Sequence, residues 1–581
     1  MSNLYHIPSR PNNFLTIGFA SLTATLREIT YPQPLRFTGY FSKHLSPPPL
    51  GRVVVIVLYW LVILLCLWTG SILHPGDALY AYKWEKVGFR AAWVSVTQLP
   101  LIYLLSCKAN PITLIAGISY ERLNWIHRWA AITLFFTVVV HWSHFYTEWY
   151  LGGIVAIEME MMTMVQYGFG AWGVVTWMVL SSFGFFRQLG YEFFVLQHIV
   201  AAFVLLWLVH MHVPSYAAYN VWMAVGFVVF DWTARGVMVL LRNSSRSILG
   251  YDAHLEPIPA GLTKLTIKDV RFSWSAGQHI YIYAPAVGWF GNHPFTIANN
   301  CAAKSSSGTQ SLTLLIKAQG GLTKRVYNKA TSTSPRIRVF LSGPWGVPPN
   351  LAIHDSIVLI SSGTGLAFTL PVLQNLLDSN IAARRIDFSW IVRSQEEAEA
   401  QREALAAAVA RSRTINVDLG VSVFVTCSDE PVCVCCTGMC TCGTVNLDLE
   451  HQQPVITSGR SSMESSYLMK DEKSALQNKQ DELAISSASS QQSVNGLVTK
   501  NTSQAACCRG PTIHRSRKPN MDELIRPAVE SALGETAVVI CGSGSLIASA
   551  RTYVAGLSDE RAVHKGTGAQ GIFLYTESYD W

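Results

Sequence analysis

The stretch from Trp125 to His212 decides the fold, and its two apolar runs read WIHRWAAITLFFTVVVHWSHFY and FFVLQHIVAAFVLLWLVHMH. The first run carries His127 and His141, the second carries His198 and His212, and the members of each pair are fourteen residues apart. At about 100° per residue, fourteen steps end only about 40° short of four helical turns, so each pair lies on one helix face, roughly 21 Å apart along the axis. That separation spans most of a hydrocarbon core about 30 Å thick. The pattern predicts two heme groups at two depths of a membrane, each held by one histidine from either helix.

Two further histidines in these runs fail the same test. His144 is seventeen residues from His127 and His210 is twelve from His198, which places them roughly 100° and about 120° away from the two ligand faces. For any single intramembrane histidine, the alternative to a metal ligand is an interhelical hydrogen bond. Two pairs with matched spacing favour heme ligation over that alternative.

The composition is that of a membrane protein with a large soluble part. Of 581 residues, 50% are hydrophobic, only 14% are charged and 18 are tryptophan. A formal net charge of +7 is modest for this length, so the bilayer and not a nucleic acid is the predicted partner. Six apolar segments are long enough, or nearly so, to span it as helices, near residues 53–70, 89–107, 125–147, 170–186, 193–212 and 219–241.

Loop charges set the predicted orientation. Basic residues flank the second and fourth loops and follow the sixth segment, and the third loop carries glutamates, whereas three basic residues at 83–90 argue the other way. The positive-inside rule then predicts a multi-pass protein with both chain ends in the cytosol. His127 and His198 would lie at the cytosolic level. Arg122 and Arg128 lie close to that level, where they would either contact heme propionates or serve only as topological anchors.

The pattern changes after residue 246. Short β-like runs broken by Gly and Pro predict a small antiparallel barrel, and from residue 357 the alternation of strand, glycine turn and helix predicts an α/β nucleotide-binding domain. The predicted organisation is a cytosolic N-terminal segment (1–50), a transmembrane heme domain (51–245), a β-barrel (250–350), an α/β domain (355–412 and 522–581) and a disordered insertion rich in Ser and Gln (413–521).

The predicted insertion holds eight of the 12 cysteines, between Cys427 and Cys508. Because a cytosolic segment is kept reduced, no disulfide framework is predicted. The cluster from Cys427 to Cys442 (CSDEPVCVCCTGMCTC) has three interpretations: thiolate binding of a soft metal ion such as Cu(I), lipidation, or no defined role. Its spacing matches no zinc-binding pattern.

Three motifs carry a resemblance to a known family. They are GISYERLNWIHRW in the membrane part, His293-Pro294-Phe295-Thr296 after AGQHIYIYAP, and SSGTGLAFTLP in the α/β domain. In combination they resemble the fungal ferric-chelate reductases, relatives of the NADPH oxidases, over roughly residues 50–410 and 530–581. The resemblance implies a six-helix transmembrane bundle with two b-type hemes. It also implies a ferredoxin-reductase-like module in which the barrel binds FAD and the α/β domain binds NADPH.

The resemblance also implies which residues bind FAD. His293 and Phe295 would flank the flavin, Pro294 would fix the turn between them, and the Thr296 hydroxyl would face the isoalloxazine edge. The chain ends in an aromatic residue, Trp581, which would cover the flavin.

A second predicted contact to FAD is the start of a helix at Gly320, Gly321 and Thr323. Bare backbone N–H groups at a helix start, followed by Lys324 and Arg325, suit the FAD pyrophosphate. The alternative for this segment is an ordinary Gly-Gly turn with no ligand.

Three segments are predicted to bind NADPH. Gly363-Thr364-Gly365 follows an apolar strand and precedes a helix, which is the context of a pyrophosphate site, although the third glycine of the full fingerprint is missing. Cys541-Gly542-Ser543-Gly544 ends a second strand and resembles the family's Cys-Gly-Pro-Gly turn beside the nicotinamide. Arg393 and Ser394 end a third strand, where a cation favours the 2′-phosphate of NADPH, whereas Glu396 favours NADH.

By resemblance, electrons from cytosolic NADPH would pass through FAD and the two hemes to chelated Fe(III), or Cu(II), beyond the membrane, for iron acquisition with an iron permease or ferroxidase system. The plasma membrane is the predicted location and the vacuolar membrane is the alternative. One rival function is an NADPH oxidase that produces superoxide. A rival of another class is a transporter or channel with a histidine relay and a nucleotide-sensing soluble part. A heme absorption band would exclude the transporter.

Overall fold

The computed structural model describes residues 13–35, 47–116, 118–244, 250–288, 292–301, 310–426, 511–515 and 518–578. The first half of the described chain is helical and the second half holds two six-stranded sheets. A 3₁₀ turn at Tyr120–Arg122, here called the interdomain turn, precedes α5. The helices of the first half are α1 (Phe14–Thr30), α2 (Leu50–Trp68), α3 (Lys83–Ser106), α4 (Pro111–Ala116), α5 (Asn124–Leu151), α6 (Val155–Met161), α7 (Thr163–Ser181), α8 (Gly184–Leu189), α9 (Tyr191–His212) and α10 (Tyr219–Asn243).

Each of the six predicted apolar segments falls on a long helix, namely α2, α3, α5, α7, α9 and α10. Within the described ranges, three helices are long and apolar enough by length and composition to cross a membrane: α2, residues 192–212 of α9, and α10. The helices α3 and α5 are more polar, because α3 begins with Lys83, Glu85 and Lys86 and α5 contains Arg128 and Glu148. An apolar helical domain is therefore present, and the count of six spans stays a prediction.

Small and hydroxylated side chains hold the long helices together. Ala130 of α5 and Ala224 of α10 are almost fully buried. The Ser95 hydroxyl and the Gln98 amide of α3 both donate hydrogen bonds to the Thr137 hydroxyl of α5, at 2.9 and 3.1 Å. Such residues allow close approach of helices in apolar surroundings and add interhelical hydrogen bonds. As a result, α5 and its histidines are fixed against α3.

The first sheet is antiparallel, as predicted for this part of the chain, and its closure into a barrel stays a prediction. It is called the β-domain below. Apolar residues at every second strand position face a common core, and α11 (Gly321–Ala330) packs on that core through Leu322 and Val326. The strands are β1 (Tyr251–Ile258), β2 (Leu262–Val270), β3 (His279–Tyr283), β4 (Asn292–Thr296), β5 (Gln310–Lys317) and β6 (Arg336–Trp345), in the antiparallel order β4-β3-β6-β1-β2-β5.

The second sheet is parallel throughout and forms the predicted α/β domain, in the order β10-β9-β8-β7-β11-β12. The strand order reverses between β7 and β11, and ligands of such sheets bind outside the carboxyl ends of the strands at this reversal. The elements are β7 (Ser356–Ser362), α12 (Leu366–Asp378), β8 (Arg385–Val392), α13 (Gln395–Glu399), α14 (Arg402–Thr414), β9 (Asp418–Val425), β10 (Thr512–Arg515), α15 (Met521–Ser531), β11 (Thr536–Gly542), α16 (Gly544–Glu560) and β12 (Ile572–Ser578).

Two strands of this sheet lie inside the segment that the composition marked as an insertion. Both β9 and β10 fall between residues 413 and 521, so the boundaries of the predicted insertion move inward. The strand β9 was not separated from the insertion because it leads directly into the Cys-rich segment. The remaining residues 427–510, which include the Cys427 to Cys442 cluster, lie outside the described residues.

Candidate functional site

The outer histidine pair of the predicted heme sites comes together between α5 and α9. The ring centroids of His141 and His212 are 5.9 Å apart. His141 Nδ1 lies 2.9 Å from the Gly88 carbonyl and His212 Nδ1 lies 2.8 Å from the Met164 carbonyl. Because a carbonyl only accepts, each Nδ1–H donates, and the lone pair of each ring is on Nε2. Orientation of a ligand histidine by its second nitrogen is the usual arrangement at metal sites, so this pair fits an iron bound on both axial faces.

A glycine of α7 makes room for one of these rings. A Cβ on Gly168 would lie 2.6 Å from both Cε1 and Nδ1 of His212. Only a residue without a side chain permits the ring to reach its observed position. The spacing of the histidines gave no signal for this glycine.

Gly168→Ala is therefore expected to displace His212 and weaken its bond to the Met164 carbonyl. The heme content should fall from two toward one per polypeptide, measured as the ratio of heme to protein in the purified chain. Gly173→Ala in the same helix is the matched control, because nothing lies within 4 Å of a Cβ at that position. Full heme content in Gly168→Ala would contradict the assignment of His212 as a ligand.

In the inner pair, only His127 has the same kind of orienting bond. His127 Nδ1 donates to the Ile102 carbonyl at 2.9 Å. In the described part of the chain, Nδ1 of His198 is buried without a hydrogen-bond partner, and its ring lies 5.3 Å from that of Phe194. His198 therefore lacks the orienting bond that the other three histidines make through Nδ1, and its prediction as a ligand rests on its spacing from His212.

The two histidines that failed the spacing test have other surroundings. His144 Nδ1 donates to the Val140 carbonyl of its own helix at 2.8 Å, and its ring packs against Trp68 and Trp84. The ring of His210 packs on Trp222 at 5.3 Å. Among the described residues, neither ring packs against another histidine, whereas the rings of His141 and His212 pack against each other.

Cationic side chains lie near the inner pair, and one of them was not identified as a site residue from the sequence. The Arg187 guanidinium lies 5.7 Å from the ring of Phe194, the same ring that contacts His198, and Arg187 Nε is buried with no partner among the described residues. Arg128 directly follows the inner histidine His127 in α5. Arg128 and Arg187 together suit the anionic propionates predicted at this level.

The other predicted propionate contact, Arg122, has protein partners. Its guanidinium donates to the Thr576 carbonyl and the Glu577 carboxylate, both at 2.8 Å, and lies 4.1 Å above the ring of Tyr575. These three partners belong to β12 of the α/β domain. Arg122 thus links the helical domain to the α/β domain, a role that the sequence did not indicate.

All three residues of the interdomain turn make such contacts. The ring of Tyr120 lies 6.4 Å from Tyr281 and 6.5 Å from Trp345, and Glu121 accepts a 2.6 Å hydrogen bond from His279 Nε2. These partners belong to β3 and β6 of the β-domain. One short turn at the entrance to α5 therefore contacts both soluble domains and directly precedes the helix that carries His127 and His141.

A buried lysine lies beside this turn. Lys108 Nζ lies 3.2 Å from the ring centroid of Tyr281. Burial lowers the pKa of Lys108 to about 7, with Arg235 acting in the same direction and Glu121 and Asp231 opposing. The amine packs against β3. This strand pairs with β4, which carries the predicted flavin-binding residues.

The predicted flavin residues lie on β4. Phe295 is paired with Ile280 and packs against the core of the β-domain, whereas His293 is paired with Ile282. Burial lowers the pKa of His293, with Glu192 opposing and Arg325 assisting, which favours the neutral ring. Pro294 and Thr296 lie in the same strand, so the predicted turn at Pro294 is wrong. Trp581 lies outside the described residues.

The second predicted flavin contact is a helix start. Gly321 has φ +48°, a left-handed conformation that favours glycine, and α11 begins there. The Thr323 hydroxyl accepts hydrogen bonds from the N–H groups of Gln319 and Gly320 at 3.1 and 3.3 Å. Thr323 therefore caps the helix, and a Cβ on Gly320 would meet open space, so an anion can approach the backbone there.

The two predicted NADPH turns meet at the carboxyl ends of β7 and β11, which are neighbours in the sheet. A Cβ on Gly365 would overlap the Cys541 carbonyl oxygen, and one on Gly542 would lie 2.6 Å from the Ser362 hydroxyl. Glycine is thus required where the turns Gly363-Thr364-Gly365 and Cys541–Gly544 touch. This is the strand reversal at which dinucleotides bind in such folds. Ser543 accepts a hydrogen bond from Leu546 N–H at 3.4 Å and so caps α16, the helix that Gly544 begins.

The turn Gly363-Thr364-Gly365 lacks the third glycine of the dinucleotide fingerprint because packing requires a larger residue there. Its position holds Phe368, whose ring is almost fully buried, stacks on Tyr575 at 5.9 Å and lies against Gly277 of the β-domain. The aromatic ring fills the contact between the two soluble domains. Beside it, burial raises the pKa of the Cys541 thiol, which is therefore neutral.

The third predicted NADPH segment ends β8. Ser394 caps α13 by accepting from Glu397 N–H at 3.4 Å, and the buried Glu397 carboxylate receives Lys317 Nζ at 2.9 Å. Lys317 thus compensates the charge of Glu397, whereas Glu396, the residue that favours NADH, is exposed three residues after Arg393. The Arg393 side chain is exposed at this edge.

Arg393→Ala is expected to lower kcat/KM for NADPH about 10- to 100-fold and to leave that for NADH nearly unchanged, because one charge-assisted contact to the 2′-phosphate is lost. Steady-state rates with both nucleotides measure this. Arg402→Ala is the control, since Arg402 pairs with Glu399 on the surface. Equal losses with both nucleotides would contradict a 2′-phosphate contact.

Three family models match the chain in succession. The model described as a ferric reductase like transmembrane component matches residues 91–209. An FAD-binding domain matches residues 253–349, and a ferric reductase NAD binding domain matches residues 354–555. These ranges fall, in the same order, within the helical domain, the β-domain and the α/β domain.

The chain is also similar to several fungal proteins. It is 28% identical to a probable cell surface ferric reductase of Aspergillus oryzae over 55% of this chain and 45% of that protein. It is 27% identical to ferric/cupric reductase transmembrane component 7 of Saccharomyces cerevisiae over 73% of this chain and 68% of that protein. The chain thus spans about half the length of the first relative and two thirds of the second.

Proposed function

Because the chain combines the transmembrane, FAD-binding and NAD-binding domains of the ferric reductases, we propose that it is a transmembrane metalloreductase. The electron donor is cytosolic NADPH, and the substrate is chelated Fe(III), or Cu(II), on the far side of the membrane. The observation that carries the proposal is the apposition of His141 and His212, with both Nδ1 atoms donating to backbone carbonyls.

Two heme groups would be held and oriented by His127, His141, His198 and His212. FAD and heme groups held by these residues would supply the redox chemistry that links a two-electron nucleotide donor to a one-electron acceptor. The carbonyls of Ile102, Gly88 and Met164 fix ring orientation, which a metal ligand needs in order to keep one tautomer.

The soluble domains position the two dinucleotides. The neutral His293 and the aromatic Phe295 offer a flat contact for a ring system, and the start of α11 offers backbone N–H groups to a pyrophosphate. The turns at Gly365 and Gly542 keep side chains away from the strand reversal, so that NADPH can approach the backbone.

The proposed setting is a multi-pass protein of the plasma membrane with both chain ends in the cytosol, and the vacuolar membrane is the alternative. Both soluble domains follow α10 in the chain, which agrees with a single cytosolic module. An iron permease or ferroxidase system would consume the reduced iron.

The test is cofactor analysis followed by two acceptor assays on the purified full chain. A pyridine hemochrome assay with flavin quantification should give two hemes per FAD. In vesicles, NADPH should then support reduction of a ferric chelate at a higher rate than superoxide release. Absence of a heme band would favour the transporter, and superoxide as the main product would favour the oxidase.

The interdomain turn gives a more specific prediction. Arg122→Ala should leave flavin reduction by NADPH unchanged and slow heme reduction about 10- to 100-fold, because loss of the contacts to Tyr575, Thr576 and Glu577 lets the soluble domains move relative to α5. Stopped-flow absorbance at flavin and heme wavelengths separates the two rates.

Arg338→Ala is the matched control, because Arg338 pairs with Asp252 at the surface of the β-domain, away from this turn. A variant Arg122→Ala with unchanged heme reduction would show that the turn does not set the relation between the domains. Loss of heme itself would instead favour the original assignment of Arg122 as a propionate contact.

A further inference from the structure

The N-terminal helix α1 has a long exposed apolar stripe. Leu15, Phe19, Leu22, Leu26 and Ile29 are 79%, 69%, 58%, 52% and 52% exposed. At about 100° per residue these positions fall within about 80° of one another around the helix. Residues 1–50 were predicted only as a cytosolic N-terminal segment, so this helix was not expected. Exposed apolar surface of this extent marks a contact with a partner or a membrane.

The opposite face of α1 is already occupied by the α/β domain. Ala24 is buried, and Arg27 forms an ion pair with Glu535. Glu28 accepts from the Ser558 hydroxyl at 2.7 Å and lies 2.9 Å from His564 Nδ1. The two charged residues of α1 are therefore both bound to the α/β domain, and the apolar stripe faces away from that domain.

The end of α1 lies where the first apolar span begins. Leu50 N–H donates to the Pro32 carbonyl at 2.9 Å, and a Cβ on Gly51 would lie 2.8 Å from Cβ of Thr30. Gly51 belongs to the first turn of α2, which is long and apolar enough to cross a membrane. The exposed apolar surface of α2 starts at Val54 and Val55, one helical turn beyond this contact.

We infer that the apolar stripe of α1 lies in the lipid surface on the side of the soluble domains and holds the α/β domain against the membrane. An amphipathic helix with one apolar face buried at the boundary of headgroups and acyl chains is a recurrent form of attachment. In this chain the apolar side chains alone carry the attachment, because Arg27 is engaged with Glu535 and α1 has no other basic residue. The bound surface is therefore lipid of any headgroup charge.

The inference is tested on the full chain in nanodiscs with a photoreactive benzoylphenylalanine at one position. Phe19→benzoylphenylalanine is a mild change at an exposed aromatic residue. Ser21→benzoylphenylalanine, two residues away, is the matched control, because the Ser21 hydroxyl lies 3.7 Å from a Cβ position on Gly566 of the α/β domain. Mass spectrometry identifies the adducts.

The probe at position 19 should form phospholipid adducts, with yields within about twofold in neutral and in anionic nanodiscs, since no free cation of α1 attracts anionic lipid. The probe at position 21 should form adducts with the peptide that contains Gly566. An adduct of the position-19 probe with a second copy of the chain, or no lipid adduct while the control reacts, overturns the inference. A yield that depends on anionic lipid overturns the claim that apolar side chains alone carry the attachment.

Discussion

His141→Ala is expected to remove the outer heme and to lower ferric reduction beyond the membrane by at least about 100-fold, while NADPH oxidation by a soluble artificial acceptor survives. Loss of groups that merely orient a ligand costs about 10- to 100-fold in metal affinity, and this substitution removes the ligand itself. The inner pair His127 and His198 lies on other turns of the same helices, with its own carbonyl partner at Ile102. The measurement is the ratio of heme to FAD, expected to fall from two to one, together with both acceptor rates.

His144→Ala is the control on the same helix. His144 donates to a carbonyl of its own helix and packs between Trp68 and Trp84, so its loss should lower packing stability without removing a heme. If His144→Ala lost a heme and His141→Ala kept both, the helical phase argument would be wrong. Loss of both hemes in His141→Ala would mean that the two sites are not independent.

The helical phase of the histidines could be predicted because an α-helix has a rigid period. Fourteen residues fix the relative direction of His198 and His212 whatever the neighbouring helices are. The pairing of His141 with His212 in space, at 5.9 Å, agrees with that expectation. The glycine turns after β7 and β11 could also be predicted from the sequence, because a strand followed by a glycine turn and a helix is a local pattern.

Features that depend on distant partners could not be predicted. Arg122 contacts residues 454 and 455 positions later in the chain, and loop charge indicated only an anchor or a propionate contact. Gly168 matters because of the ring of His212, which belongs to another helix. The amphipathic stripe of α1 has helical spacing, but the surrounding polar and proline-containing residues concealed it in a composition-based division of the chain.

Gly365→Val is expected to lower NADPH-dependent reduction more than about 100-fold while leaving heme and FAD bound. A Cβ at this position overlaps the Cys541 carbonyl oxygen, so either the turn after β7 or the turn after β11 must move. Displacement of binding groups by about 1 Å costs roughly 100-fold in rate. Because both turns approach the strand reversal, either movement disturbs the same proposed NADPH site.

Gly556→Val is the matched control in the same domain, because nothing lies within 4 Å of a Cβ at Gly556 of α16. The readouts are the stopped-flow rate of flavin reduction by NADPH and the heme spectrum after reduction by dithionite. Gly365→Val should lose the first and keep the second, since the heme histidines lie in α5 and α9. A normal rate of flavin reduction in Gly365→Val would mean that NADPH does not bind where these two turns meet, and the strand reversal would then have to be abandoned as its site.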